Sequence, residues 1–253
     1  MKRRLFWFII LQVTFFLPAL SFAQTPPTDK ARITLVIEPE YNGRPLKLAN
    51  QYYINGHGDT LYIDLFKFYI TNLKLSLGSS YVTYPDSHLI DAEIKASQTF
   101  YIDNVPAGSF TSLQFMIGVD SISNTDGANY GDLDPAKGMY WAWNSGYIMA
   151  KIEGRSKVCK TLHHAFEFHI GGYMPPYNAA RTVNIKLPHA IEVQNGKNII
   201  IRIKADAAAF FTDNLDLSKI NSIVTPDKEA NMMADNYARM FSLIEMNGGH
   251  AKE

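Results

Sequence analysis

Alternating apolar and polar positions run through much of the chain and predict short β-strands. The apolar members of the clearest runs are Ile33, Leu35 and Ile37; Leu113, Phe115, Ile117 and Val119; Val183, Ile185 and Leu187; and Ile199, Ile201 and Ile203. Turn residues such as Asn55-Gly56 and Asn195-Gly196 separate these runs, and Glu38-Pro39 is expected to end the first strand. The pattern predicts an all-β fold, an antiparallel β-sandwich of the immunoglobulin-like or Greek-key type.

The run from Leu61 to Leu77 keeps this alternation but changes phase twice. Its apolar residues are first Leu61, Ile63 and Leu65, then Phe66, Phe68 and Ile70, and lastly Leu73, Leu75 and Leu77. A change of phase moves the side chains of a strand to its other face. The run therefore predicts a bulged strand, or a strand that passes from one sheet to another.

One helix is predicted near the C-terminus. Thr225 is a suitable N-cap residue and Pro226 suits the first helical position. Apolar residues then recur at three- and four-residue spacing, at Met233, Tyr237, Met240, Phe241 and Ile244, before Gly248-Gly249. We expect this apolar stripe to pack on the sheet.

The first residues have the composition of an export signal. Three cationic residues precede an apolar run from Leu5 to Leu20, and Ser21-Phe22-Ala23 offers the small residues of a cleavage site. The run is short for a membrane-spanning helix. We predict a signal peptide over residues 1–23 and a single domain over residues 24–253. The mature protein is expected to be exported to the periplasm or cell envelope, without insertion into a membrane.

Composition argues against several classes of function. The 24 basic and 24 acidic residues balance, and removal of the cationic leader leaves a small acidic excess, so nucleic-acid binding is not expected. The apolar content of 47% is enough for a folded core. Cys159 is the one cysteine in the sequence and cannot form an internal disulfide. No nucleophile elbow, zinc-protease motif, phosphate-binding loop or dinucleotide fingerprint occurs, so we do not expect an enzyme.

The segment 120–138 is rich in side-chain oxygens. It contains Asp120, Asn124, Asp126, Asn129, Asp132 and Asp134. Calcium prefers such ligands, although the spacing does not match an EF-hand loop. The alternative is structural, because Asp and Asn side chains also fold long connections through local turns. A calcium site in this loop is therefore a secondary expectation.

A tryptophan pair follows this loop. As a strand, the segment 138–147 would place Met139, Trp141, Trp143 and Tyr147 on one face. Two aromatic residues at this spacing can anchor a core or form a platform on which a sugar stacks. The pattern does not distinguish these roles.

Two histidines stand at strand positions that suit a metal ligand. In the strand 165–170, Phe166, Phe168 and Ile170 form the apolar face, which leaves His169 on the other face with Glu167. His88 begins another predicted strand. Imidazoles bind copper, zinc or nickel, but a lone histidine at a strand end is equally a surface residue.

Several motifs occur in this order along the chain: Tyr69-Ile-Thr-Asn72, His88-Leu-Ile-Asp91, Gly118-Val-Asp-Ser121, Leu133-Asp-Pro135, Gly138-Met-Tyr-Trp-Ala-Trp-Asn-Ser-Gly-Tyr147, Phe168-His-Ile-Gly-Gly172 and Ala234-Asp-Asn-Tyr237. Together they resemble the MbnP-like family of exported copper-binding β-sandwich proteins. The tryptophan segment is the most specific of these motifs. The similarity extends over most of the mature chain.

The resemblance implies a copper site made of two imidazoles and the nitrogen of a kynurenine. The resemblance also implies a partner dihaem enzyme of the MauG type, which makes the kynurenine by oxidising a tryptophan. On this chain the resemblance implies Trp141 as the modified residue, with Trp143 in reserve, and His88 and His169 as the imidazole ligands, with His57 in reserve. It also implies Asp91 or Glu167 as the carboxylate that orients an imidazole.

Three functions follow from these observations. The first is copper sequestration or transfer without catalytic turnover. The alternative is a metal-free binding or assembly module that contacts a glycan or a protein through Trp141 and Trp143. Stoichiometric copper would separate the two. The third, a hydrolase or redox enzyme, lacks any nucleophile–base pair that can be placed from the sequence.

Overall fold

A computed structural model describes residues 30–144, 146–212 and 214–247. The predicted signal peptide, residues 1–23, lies outside the described residues. The strands are β1 Ala31–Tyr41, β2 Arg44–Pro45, β3 Tyr52–Ile54, β4 Thr60–Leu77, β5 Ser80–Tyr84, β6 His88–Asp91, β7 Thr99–Val105, β8 Gly108–Ile117, β9 Tyr140–Trp141, β10 Gly146–Ser156, β11 Ala165–Gly171, β12 Tyr173–Met174, β13 Tyr177–Asn178, β14 Arg181–Val193, β15 Asn198–Asp206, β16 Ser222–Ile223 and β17 Phe241–Asn247. The α-helices are α1 Ser121–Thr125 and α2 Lys228–Tyr237.

Two large sheets pack face to face, which confirms the predicted sandwich. One sheet has the order β17-β15-β1-β2, with β7 also paired to β1. The other has the order β14-β8-β4-β10-β11-β16, with β3, β5 and β6 on β4 and β9 on β10. The Phe241 ring of the first sheet lies 5.5 Å from Phe68 and 4.9 Å from Phe115 of the second. The face of the ten-stranded sheet that meets the first sheet is called the inner face below, and the opposite face the outer face.

The pairing is mostly antiparallel, with two parallel exceptions. β1 pairs with β15 in parallel, and β11 pairs with β16 in parallel. The expectation that Glu38-Pro39 ends the first strand is wrong, because β1 continues to Tyr41. β7 pairs with β1 only as far as Val36. The missing N–H of Pro39 therefore removes no hydrogen bond on that side.

The two phase changes predicted between Leu61 and Leu77 are bulges in the single long strand β4. The pairing of β4 with β10 shifts between Ile63 and Leu65. Its pairing with β8 shifts again between Thr71 and Lys74, where Asn72 has a φ of 50°. Each bulge returns the apolar side chains to the inner face, so one strand serves both halves of the sheet.

The C-terminal helix is shorter than its apolar spacing predicts. Its N-cap is Asp227, whose side chain accepts a hydrogen bond from the Ala230 N–H at 2.7 Å, rather than Thr225. The helix ends at Tyr237, and Phe241 begins a strand on β15 instead of a further turn. Pairing with an edge strand that needs a partner outweighs the local helical periodicity. The helix packs as expected, with Met233 and Tyr237 fully buried.

The Tyr237 hydroxyl donates a hydrogen bond to the Ala179 carbonyl inside the core. We expect Tyr237→Phe to lower the free energy of unfolding by about 1–3 kcal/mol, because a buried carbonyl loses its partner. Urea unfolding measures this. Tyr52→Phe removes a hydroxyl from a side chain that is 61% exposed and is the control. Equal effects of the two substitutions would contradict the prediction.

Candidate metal centre

The segment 120–141 crosses the outer face of the ten-stranded sheet and is fixed there by hydrogen bonds. The Tyr69 hydroxyl donates to the Asp132 carbonyl at 3.0 Å, and the Tyr147 hydroxyl donates to the Leu133 carbonyl at 2.9 Å. The Leu89 N–H donates to the Asp132 carboxylate at 3.0 Å. The loop therefore holds the following tryptophan segment against the sheet.

The polar side chains of this loop fold it locally. Asp120 caps α1 by accepting from the Ser123 N–H at 2.8 Å, and Asp134 accepts from the Ala136 N–H at 2.9 Å. Buried Asn124 accepts from the Tyr147 N–H at 2.8 Å. These contacts are the local turns and caps that were the structural alternative to a calcium site. Calcium binding there remains a prediction.

The tryptophan segment is a tight hairpin, not the single strand considered from the sequence. Trp141 in β9 pairs with Gly146 in β10, so residues 142–144 form the turn. The prediction assumed alternation along one strand, whereas the residues on the two sides of this turn belong to two paired strands, β9 and β10. Trp141 is 6% exposed and Trp143 is 65% exposed, with ring centroids 5.6 Å apart. Trp141 is thus a packed residue, and Trp143 is presented to solvent.

The six-membered ring of Trp141 lies directly over Gly171. A Cβ atom at Gly171 would be 2.5 Å from the Trp141 Cζ3 atom, so only glycine admits the ring at this distance. Gly171 and His169 are two residues apart in β11 and share the outer face. The Trp141 ring therefore covers the position two residues from His169, on the face that carries the His169 side chain.

His169 makes a short contact with a carboxylate that sequence reasoning did not select. Its Nε2 atom lies 2.7 Å from Glu153 Oε1, and Lys151 Nζ lies 3.2 Å from the same oxygen. The hydrogen bond from His169, with the charge of Lys151, lowers the pKa of Glu153 to about 2. Glu153 and Lys151 are two residues apart in β10 and so lie on the same face of that strand. The alternating pattern predicts this face, but it does not predict which residue of β11 Glu153 contacts.

His88 lies on the other side of the sheet from His169. It pairs with Ile70 on the inner face, and its ring stacks on Phe100 of the five-stranded sheet with centroids 3.9 Å apart. β6, β4, β10 and β11 are successive neighbours, so three strand spacings, about 14 Å, also separate the two histidines. The structure does not bring His88 to the Trp141–His169 pair.

The MbnP family model matches residues 30–232. The chain belongs to the MbnP family. No curated protein sequence matches it. Among solved structures, it is similar to MbnP from Methylosinus trichosporium, with a TM-score of 0.52 and 14% sequence identity, over 77% of this chain and 81% of that chain. At this identity the likeness shows the fold alone.

The remaining predicted site residues of this MbnP-family chain lie elsewhere. His57 is in the β3–β4 turn, beside the end of β10 at Ser156, about 30 Å along the strand from Trp141. Asp91 Oδ2 lies 2.8 Å from Lys67 Nζ. Glu167 accepts a hydrogen bond from the Ser222 hydroxyl at 3.0 Å. The carboxylate that contacts His169 is thus Glu153, not either of the two implied by the resemblance.

No group of three or more His, Cys, Asp or Glu side chains gathers within the part of the chain that the structure describes. None of the described helices is long and apolar enough to cross a membrane.

Burial lowers the pKa of His88, partly offset by the charges of Asp132 and Asp86. Below about pH 6.5 the unfolded chain therefore binds a proton at His88 more readily than the folded protein does. The contribution of His88 to the free energy of unfolding falls as the pH drops. We expect His88→Phe, which keeps the stacked ring, to lose less stability than the wild type between about pH 6.5 and pH 5. Urea unfolding across this range measures it. His189→Phe, at an exposed position, is the control and should keep the wild-type slope.

Proposed function

We propose that this protein is an exported copper-binding protein that sequesters or hands over copper and has no catalytic turnover of its own. The observation that carries the proposal is that the Trp141 ring lies over Gly171, two residues from His169 on the same face of β11. Membership of the MbnP family supports it. The copper ion is cargo in this proposal.

The donor chemistry at this place fits copper in part. His169 offers an imidazole nitrogen, and oxidation of Trp141 to kynurenine would add an aniline nitrogen. Two neutral nitrogens form a low-charge, borderline-soft site that suits Cu(I). The nearby charges of Lys151 and Glu153 are paired with each other at 3.2 Å. His88, on the inner face, does not fit this donor set.

The proposed modification requires a partner enzyme. We propose a dihaem enzyme of the MauG type that uses a peroxide as oxidant. Two equivalents of hydrogen peroxide open the indole C2–C3 bond, place one oxygen atom on each of the two carbons, and are themselves reduced to water. Water then hydrolyses the resulting formamide, so that C2 leaves as formate and the amine stays on the benzene ring. Trp141 is the preferred target because its ring lies over Gly171, two residues from His169 in β11. Trp143, its exposed neighbour at 5.6 Å, is the alternative.

A binding or assembly module is the second candidate function. Trp143 is 65% exposed, and next to it a cleft of about 220 Å³ opens along the chain. The residues that line the cleft are Asn144, Gly172, Tyr173, Met174, Pro175, Pro176, Tyr177 and Pro226. Exposed aromatic side chains beside a cleft are typical of contact surfaces for glycans or proteins.

Native mass spectrometry of the protein from the envelope of its own organism tests the proposal. We expect one copper ion per chain and a peptide containing Trp141 that has lost one carbon and gained one oxygen. The Trp141→Phe variant, made in the same organism, should lack both. An unmodified wild-type protein without copper would overturn the copper function and favour the binding module.

A further inference from the structure

We infer that Glu153 is a positioning residue, which holds the His169 imidazole with its proton on Nε2 and so leaves the Nδ1 lone pair for the metal. This inference rests on the proposed function for its last step. The hydrogen bond itself is a property of the metal-free protein. The two parts can therefore be tested separately.

The contact determines the tautomer. Glu153 Oε1 lies 2.7 Å from His169 Nε2, which is a hydrogen-bonding distance. An ionised carboxylate only accepts hydrogen bonds, so Nε2 must carry the donated proton. The Lys151 ammonium group, 3.2 Å from the same oxygen, favours the ionised carboxylate. The neutral imidazole then has its free lone pair on Nδ1.

The strand register places Glu153 and Gly171 on opposite sides of His169. His169 pairs with Lys151, and Glu167 pairs with Glu153, so Glu153 is displaced along the sheet away from Gly171. The Trp141 ring lies over Gly171. The carboxylate that holds Nε2 therefore lies on the side of His169 away from the residue proposed to supply the second nitrogen.

Lys151 fixes the carboxylate in turn. Its ammonium group lies 3.2 Å from the Oε1 atom of Glu153 and 3.5 Å from the carbonyl oxygen of Gly138, which leads into the tryptophan hairpin. Glu153 therefore has a cation on one side and the imidazole on the other. Such carboxylate–histidine pairs orient metal-binding imidazoles and raise their basicity.

The first test uses the metal-free protein labelled with ¹⁵N in histidine. The His169 ring signals are assigned by their loss in His169→Ala, and the long-range ¹H–¹⁵N spectrum reports which nitrogen carries the proton. We expect Nε2 protonated, with its proton visible through slow exchange with water. In Glu153→Ala that proton signal should disappear, while Glu153→Gln, which still offers an oxygen acceptor, should retain part of it.

Asp64→Ala is the matched control. The Asp64 side chain is 34% exposed, as is that of Glu153, and it pairs with Arg155. Asp64 is also close to Glu153, because the charge of Glu153 adds to the effect of burial in raising the pKa of Asp64. Its removal should leave the His169 spectrum unchanged. A proton on Nδ1 in the wild type, or an unchanged spectrum in Glu153→Ala, would overturn the inference.

The second test is Cu(I) affinity, measured by chelator competition on protein purified from its own organism. We expect Glu153→Ala to bind about 10- to 100-fold more weakly, and Asp64→Ala to bind like the wild type. If the wild type binds no copper while the NMR result is as expected, the proposed function fails and Glu153 still positions His169. If the wild type binds copper and Glu153→Ala binds it equally well, the inference fails and the proposed function stands.

Discussion

Replacement of His169 with alanine is expected to lower Cu(I) affinity by more than about 100-fold, because loss of an outer partner alone costs 10- to 100-fold and His169 is the ligand itself. The fold should survive. The side chain is on the outer face and 17% exposed, while the core residues Phe168 and Ile170 on either side stay in place. Chelator competition measures the affinity, and urea unfolding measures the stability.

The His88→Phe variant tests whether the second implied histidine is also a copper ligand. The resemblance implies both histidines as ligands, but the structure places His88 on the inner face against Phe100. We expect His88→Phe to keep the wild-type Cu(I) affinity. An unchanged affinity in His169→Ala would remove His169 from the site. Loss of copper in His88→Phe alone would place the site between the two sheets.

Alanine at Gly154 is expected to destabilise the protein by about 3 kcal/mol or more, at the upper end of the cost of overpacking. A Cβ atom there would be 2.0 Å from the Tyr62 carbonyl oxygen and 2.5 Å from the Phe166 ring. The carbonyl belongs to the neighbouring strand and cannot move without breaking the pairing of β10 with β4 beside the first bulge. Urea unfolding measures the loss.

Gly43→Ala is the control for the alanine substitution itself. Gly43 has a φ of 75° and no atom within 4 Å of a Cβ built on it. It should cost only about 1–2 kcal/mol, the penalty of a left-handed conformation for an ordinary residue. A Gly154→Ala variant no less stable than Gly43→Ala would show that the strands can separate at this point.

The bulges of β4 illustrate what could be predicted about the fold. The alternation between Leu61 and Leu77 breaks where the pairing shifts, because side chains must return to the same core after each bulge. The segment 241–247 shows the limit. Phe241 and Ile244 continue a helical spacing, but pairing with β15, about forty residues earlier, makes this segment a strand.

The candidate site shows the same limit. Residues close together in the chain predict the strands, the separation of His169 from the apolar face of its own strand, and the tryptophan pair. They do not predict that His169 contacts Glu153, that the Trp141 ring lies over Gly171, or that His88 stacks on Phe100 of the other sheet. Those contacts depend on register: which side chains meet across a sheet is set by how distant strands align, and alternation within one strand does not contain that alignment.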